Sequence, residues 1–257
     1  MKAAKKKFTI VGNWKMNPGT LEEAKGLLSI MEKIAKKAPR VSVIVCPPAV
    51  FIEALSRGRE KAVGFGAQDV DRRERGPFTG AISASQVKSA GAEYTIIGHS
   101  ERRADGDVDA VVAEKVKWAF DAGLRVILCV GEKERDNHAH YLRTVREQVL
   151  SAISLVDKKD LRSLIIAYEP VWAIGKSYDT ALSPVDIHEM CIYIKKIVAE
   201  AAGKTEGLRT PVLYGGSINF ENAQGILSDG EVSGLLIGRQ SLEAEGFGNI
   251  INYANGI

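Results

Sequence analysis

The sequence predicts an α/β fold, a single (β/α)8 barrel with its active site at the C-terminal ends of the strands. Three observations lead there. Eight short apolar runs alternate with helical patterns across 257 residues, without a linker or a low-complexity break, which is the rhythm of repeated βα units. Polar or glycine-rich residues stand just past several of those runs, where such barrels keep their chemistry. The main rival, a doubly wound sheet, usually carries a dinucleotide fingerprint, and none is present: Gly64-Phe65-Gly66 is followed by Asp69 where the third glycine belongs. One domain over 1–257 is expected, with residues 1–7 as a solvated basic tail.

The first run, FTIVG at 8–12, leads into Asn13, Trp14 and Lys15. Thr20 and Glu23 then form a capping box. Leu21, Ala24, Leu27, Leu28, Met31, Ile34 and Ala35 keep the spacing of a helix buried on one face. The second and third runs are VSVIVC at 41–46, with a short helix after 48, and AVGFGA at 62–67. Arg72 to Ser83 is long for a βα loop and carries Pro77, Phe78 and Thr79 at its tip, which suggests an arm inserted into a partner. A short helix follows 83. YTIIG at 94–98 leads into His99, Ser100 and Glu101, with a helix over 108–122 behind them. RVILCV at 125–130 and a helix over 138–156 make the fifth unit.

Leu164 to Thr180 is the stretch around which the rest is organised. Leu164, Ile165, Ile166 and Ala167 are a short apolar run of the kind a parallel sheet buries on both faces. Glu169 is a lone carboxylate at the strand's end, and Pro170 prevents the strand from continuing. Val171, Trp172, Ala173 and Ile174 are too apolar for a solvated loop and need something to close over. The pattern reads as a catalytic base under a lid, or as a paired glutamate at a barrel rim under an ordinary buried loop. Gly175-Lys176-Ser177 is no phosphate-binding P-loop, because that motif requires glycine where Pro170 stands. Ser183 as N-cap and Pro184 at the first helical position open the next helix, with Ile187, Met190, Ile194 and Ile197 on its buried face. PVLYG at 211–215, a helix over 219–228, SGLLIG at 233–238 and a helix over 241–253 complete the eight units.

Composition narrows the function classes. The formal charge is +3, but Lys2, Lys5, Lys6 and Lys7 supply four of the 35 basic residues; the rest balance at 31 basic against 32 acidic. The body is therefore no nucleic-acid surface. No apolar run approaches the ~18 residues of a membrane span, and nothing signals secretion. Cys46, Cys129 and Cys191 are odd in number and far apart, which suggests reduced thiols in a cytoplasmic protein. No CxxC or HxxxH spacing offers a metal site, and His138-x-His140 reads as solvated surface rather than a ligand pair. No metal or organic cofactor is expected.

In a barrel, the residues beyond the strands converge on one mouth. Asn13 and Lys15, His99, Glu169, Gly216 and Ser217, and Gly238 and Arg239 then meet. Singly, Lys15 reads as a surface lysine, His99 as a structural histidine and Gly215-Gly216 as a tight turn. Together, a carboxylate, an imidazole, an ammonium and an amide make a proton-transfer site. Glycine-rich ends on strands 7 and 8 suit phosphate.

Over essentially its whole length the chain resembles the triosephosphate isomerase family. GNWKMN (12–17), GAQDV (66–70), PFTGAIS (77–83), GHSERR (98–103), CVGE (129–132), AYEPVWAIG (167–175), YGGSI (214–218) and GLLIG (234–238) fall in family order and spacing. The resemblance implies dihydroxyacetone phosphate and D-glyceraldehyde 3-phosphate as substrates, interconverted through an enediolate. It makes Glu169 the base, His99 the neutral electrophile, Lys15 the stabiliser of oxyanion and phosphate charge, and Asn13 a hydrogen-bonder of substrate oxygens. The family is itself a standard example of a histidine kept neutral by a helix N-terminus, and Ser100-Glu101-Arg102-Arg103 can open such a helix here. Glu101 is expected to orient the site by pairing with Lys15, and Ser100, Cys129 and Glu132 to support it. Backbone N–H groups of Gly175, Ser217 and Gly238 would hold the phosphate. The resemblance further implies a homodimer in which Thr79 reaches the partner's Asn13 and Lys15.

Three departures stand out. After Gly175 the chain runs Lys176-Ser177-Tyr178-Asp179-Thr180 instead of the family's usual lid tip. The usual Gly-Gly after strand 8 is Gly238-Arg239, which either strains a left-handed backbone or adds a charge near the anion. Gly106-Asp107 stands where the family has Gly-Glu, which leaves open whether the buried polar network around that acid forms. All four reacting residues are kept. The alternatives are a related barrel isomerase for a tetrulose phosphate and a barrel that binds sugar phosphate without turnover; a pure binder has no use for a base at Glu169.

Overall fold

The computed structural model describes residues 8–58, 62–136, 138–173 and 182–257. The basic tail, Gly175 and the altered lid tip Lys176 to Thr180 lie outside the described residues.

Eight parallel strands close on themselves in sequence order: β1 Phe8–Asn13, β2 Val41–Cys46, β3 Gly64–Ala67, β4 Tyr94–Ile97, β5 Arg125–Val130, β6 Leu164–Tyr168, β7 Val212–Tyr214 and β8 Gly234–Ile237. The ring closes where Thr9 to Gly12 pair with Gly234 to Ile237. The helices are α1 Leu21–Lys37, α2 Ala49–Ser56, α3 Ala84–Ser89, α4 Ser100–Ala104, α5 Asp109–Asp121, α6 His140–Ile153, α7 Pro184–Ala202, α8 Lys204–Arg209, α9 Phe220–Asp229 and α10 Ala244–Gly256.

Strand side chains alternate between two cores, as a period of two requires. Val11, Ile44, Cys46, Ile127, Cys129, Ile165 and Leu213 fill the barrel. Ile10, Val43, Val45, Val126, Leu128 and Ile166 point outward against the helices. Each large aliphatic side chain withdrawn this way contributes ~1.5–3 kcal/mol. Helix starts follow the expected chemistry: Thr20 and Glu23 form the α1 capping box, Ser83 and Gln86 that of α3, and Ser183 caps α7 with proline in its first turn.

Several bounds differ from expectation. β3 begins at Gly64 rather than 62, because pairing with β2 begins at the Ile44–Gly64 register. The element expected over 241–253 is two: a 3-10 helix Arg239–Leu242, then α10 after a break at Glu243. The short α8 was not expected. Its Gly207 lies so close to α7 that a Cβ there would sit 2.5 Å from the Ala199 Cβ.

Candidate active site

β1 ends on Asn13, and the chain turns sharply at Lys15. Lys15 has φ +52°, one of three non-glycine residues with positive φ among those described, a conformation that persists only where surroundings enforce it. Those surroundings are specific. The Asn13 Oδ1 accepts the Lys15 N–H at 3.0 Å, and the Gln68 amide donates to the Lys15 carbonyl at 2.7 Å and to the Cys46 carbonyl at 2.9 Å. The ammonium meets the Glu101 Oε1 at 2.5 Å. Gly238, just past β8, passes beneath the side chain: a Cβ there would lie 3.4 Å from the Lys15 Cε.

His99 follows β4 and caps α4. Its Nδ1 accepts the Glu101 N–H at 3.2 Å, which leaves the ring proton on Nε2. That Nε2 lies 3.5 Å from the Glu169 Oε1. The neighbouring amide of Ser100 donates to the other oxygen of Glu169 at 3.4 Å. The first two amides of α4 thus address the carboxylate and the imidazole in turn. Asn13, His99 and Glu169 are all buried, at 5%, 7% and 2% exposed.

Glu169 is held at the end of β6 by close neighbours. Its N–H donates to the Val130 carbonyl at 2.8 Å. A Cβ on Gly131 would overlap its carbonyl oxygen at 1.8 Å, and one on Gly215 would lie 2.9 Å from its Cγ. Only glycines let β5 and β7 pass so near. Inside the barrel, burial first and then the Glu169 charge push the Cys129 thiol well up, so it remains a neutral S–H. Beyond Glu169, the buried Glu132 accepts the Tyr168 hydroxyl at 2.9 and 3.1 Å and the Trp172 indole N–H at 3.0 Å. Burial and that carboxylate drive the Tyr168 hydroxyl far above its ordinary range.

The mouth therefore gathers a buried carboxylate, an Nε2–H donor, an ammonium and an amide from three different strands. The family model described as triosephosphate isomerase matches residues 8–254. The chain belongs to the triosephosphate isomerase family. It is 39% identical to the triosephosphate isomerase of Coprinopsis cinerea over 95% of this chain and 97% of that protein. With the protein of that name from Dehalococcoides mccartyi it shares 38% over 97% of each chain. With that from Candida albicans it shares 36% over 93% of this chain and 96% of the other.

The remaining site residues are placed as follows. Ser217, after β7, donates its hydroxyl to the Ala173 carbonyl at 2.8 Å, and the Asn222 amide donates to its carbonyl at 2.9 Å. Arg239 is exposed and opens the 3-10 helix, and it is not among the residues with positive φ, so the strain anticipated for a triosephosphate isomerase with arginine here does not arise. Thr79 lies exposed on the arm, far in sequence from its own Lys15. His138 and His140 are exposed, and no group of three or more His, Cys, Asp or Glu among the described residues could hold a metal ion. The acid in doubt, Asp107, does enter a buried network: the Lys115 Nζ lies 2.6 Å from both Asp107 and Asp69. Sequence reasoning missed Gln68 as a holder of Lys15. Its place in the motif at 66–70 was a signal, but its two acceptors, on Lys15 and Cys46, lie far away in sequence.

Proposed function

We propose that the protein interconverts dihydroxyacetone phosphate and D-glyceraldehyde 3-phosphate through an enediolate. The observation that carries this reading is the meeting of Glu169, the His99 Nε2–H and the Lys15 ammonium at one barrel mouth. Glu169 takes the proton from C1 of the ketone and returns it to C2. Its two oxygens face the His99 Nε2 at 3.5 Å and the Ser100 N–H at 3.4 Å, which fixes the carboxylate for proton abstraction. Negative charge develops on the carbonyl oxygen as the C–H bond breaks, and the Nε2–H and the ammonium are the donors that stabilise it. Asn13 hydrogen-bonds the substrate oxygens. Backbone N–H groups at Ser217 and Gly238 hold the phosphate, with Arg239 adding positive charge nearby, and this remote anchorage keeps the reacting carbons in register. Ser100, Glu101 and Cys129 support the machinery without touching substrate.

The working form is a homodimer in the cytoplasm. The arm tip with its exposed Thr79 supports this, as does Met16, 94% exposed beside Lys15; a partner's arm covers that surface and reaches Asn13 and Lys15. Three buried cysteines suit a reducing compartment.

The test is a coupled assay with both triose phosphates beside tetrulose phosphates. Rapid turnover of the trioses alone is expected. Equal or better turnover of a tetrulose phosphate, or binding without turnover, contradicts the proposal. Glu169→Gln should fold normally and lose ~10²–10⁴-fold in kcat with a far smaller change in KM. Activity within tenfold of the parent would remove Glu169 from its role.

A further inference from the structure

Lys115 is a buried ammonium that the proposed reaction does not use. It projects from α5, in the outer ring of helices, and its side chain is 5% exposed. A lone buried ammonium is costly unless it is paired. Here it lies 2.6 Å from Asp69 and 2.6 Å from Asp107. Asp69 also accepts the Arg102 Nε at 3.1 Å, and Arg102 in turn pairs with the exposed Asp105 at 2.9 Å, so both cations of the network are paired. Burial pushes the Asp69 carboxyl up, against the opposing pull of Lys115; the carboxylate is held in place by its cations.

The network lies where two covalent links lead to one residue. Asp69 is bonded to Gln68, whose amide hydrogens hold the Lys15 and Cys46 carbonyls. Arg102 is bonded to Glu101, which grips the Lys15 ammonium. Fixing Asp69 and Arg102 therefore fixes both the backbone turn of Lys15 and the partner of its charge. We propose that Lys115 is a positioning residue for Lys15, acting through Asp69 on Gln68 and through Arg102 on Glu101. The proposal rests on the reading of Lys15 as part of the isomerase machinery.

A double-mutant cycle on the full chain tests it, with kcat and KM for dihydroxyacetone phosphate measured for Lys115→Met, Lys15→Ala and the pair. The network borders a cavity of about 410 Å3 beside the root of the arm, so sedimentation at assay concentration accompanies each variant. Lys115→Met is expected to lose about tenfold in kcat/KM. In the Lys15→Ala background the same change should cost less than twofold, because its target is gone. Lys115→Arg should recover most of the loss. Undiminished activity in Lys115→Met, or an equal loss in both backgrounds, overturns the proposal. A loss traced entirely to dissociation into monomers overturns it as well. Should Lys115→Met not fold, Asp69→Asn replaces it, with the same dependence on Lys15 expected. Full activity of Lys15→Ala would instead refute the reading of Lys15 itself, a separate and recognisable failure.

Discussion

Gly215 shows how little room Glu169 has. A Cβ at that position would meet the Glu169 Cγ at 2.9 Å and Oε1 at 3.4 Å, so Gly215→Ala must push the carboxylate aside. A displacement near 1 Å at a reacting group costs ~10²-fold, and a fall of that size in kcat/KM with the fold kept is the expected result. Parent-like kinetics would mean that Glu169 tolerates relocation. Glu101 supplies a pH test. Burial acts to raise its carboxyl, but the hydrogen bond and charge of Lys15, with His99 nearby, outweigh it and hold it below its ordinary 4.5. A carboxyl depressed on folding stabilises the protein above its unfolded value and loses that contribution as pH falls through the folded one. The parent should therefore melt above Glu101→Gln near neutrality, and the gap should close below pH 4.5; a gap constant across acid titration contradicts the pairing. Glu169, His99, Lys15 and Asn13 were legible as candidates because each stands just past an apolar run. Gln68 was not, because the two carbonyls it holds belong to the turn after β1 and to β2, and no local pattern records them.

At the level of elements, the arm between β3 and α3 is braced from within. The Arg73 guanidinium lies 3.4 Å over the Phe78 ring and forks onto Asp71 at 2.7 and 2.9 Å. Preordering a loop lowers the entropy lost on association. Arg73→Ala should therefore weaken the proposed dimer, with specific activity falling on dilution at concentrations where the parent remains active; sedimentation checks it, and an unchanged dissociation constant rules it out. The arm itself was visible in the sequence as an over-long connection with Pro77 at its tip, but its brace was not, since cation-ring stacking has no fixed spacing. Strands were legible as apolar runs, whereas their ends were set by cross-strand pairing, as at the Ile44–Gly64 register. α8 escaped because its Gly207 disfavours a helix locally, and packing on α7 overrides that preference.

Across the whole molecule, eight alternations announced the barrel, and closure turned scattered strand ends into one site. That convergence is a property of the ring: β1, β4 and β6 lie far apart in sequence, and only barrel closure brings Lys15, His99 and Glu169 to one mouth. The central claim is that this mouth moves a proton between adjacent carbons by way of Glu169. Isomerisation of dihydroxyacetone phosphate in D2O tests it most directly, with the deuterium content of C2 in the aldehyde product read by NMR. A carboxylic acid formed at Glu169 exchanges with solvent before returning its proton, so the product should carry solvent deuterium at C2, and Glu169→Gln should slow incorporation and isomerisation together by the same ~10²–10⁴-fold. Product formed at the full rate with no deuterium at C2 by both the parent and Glu169→Gln would mean a direct hydride shift between the carbons and would contradict the account.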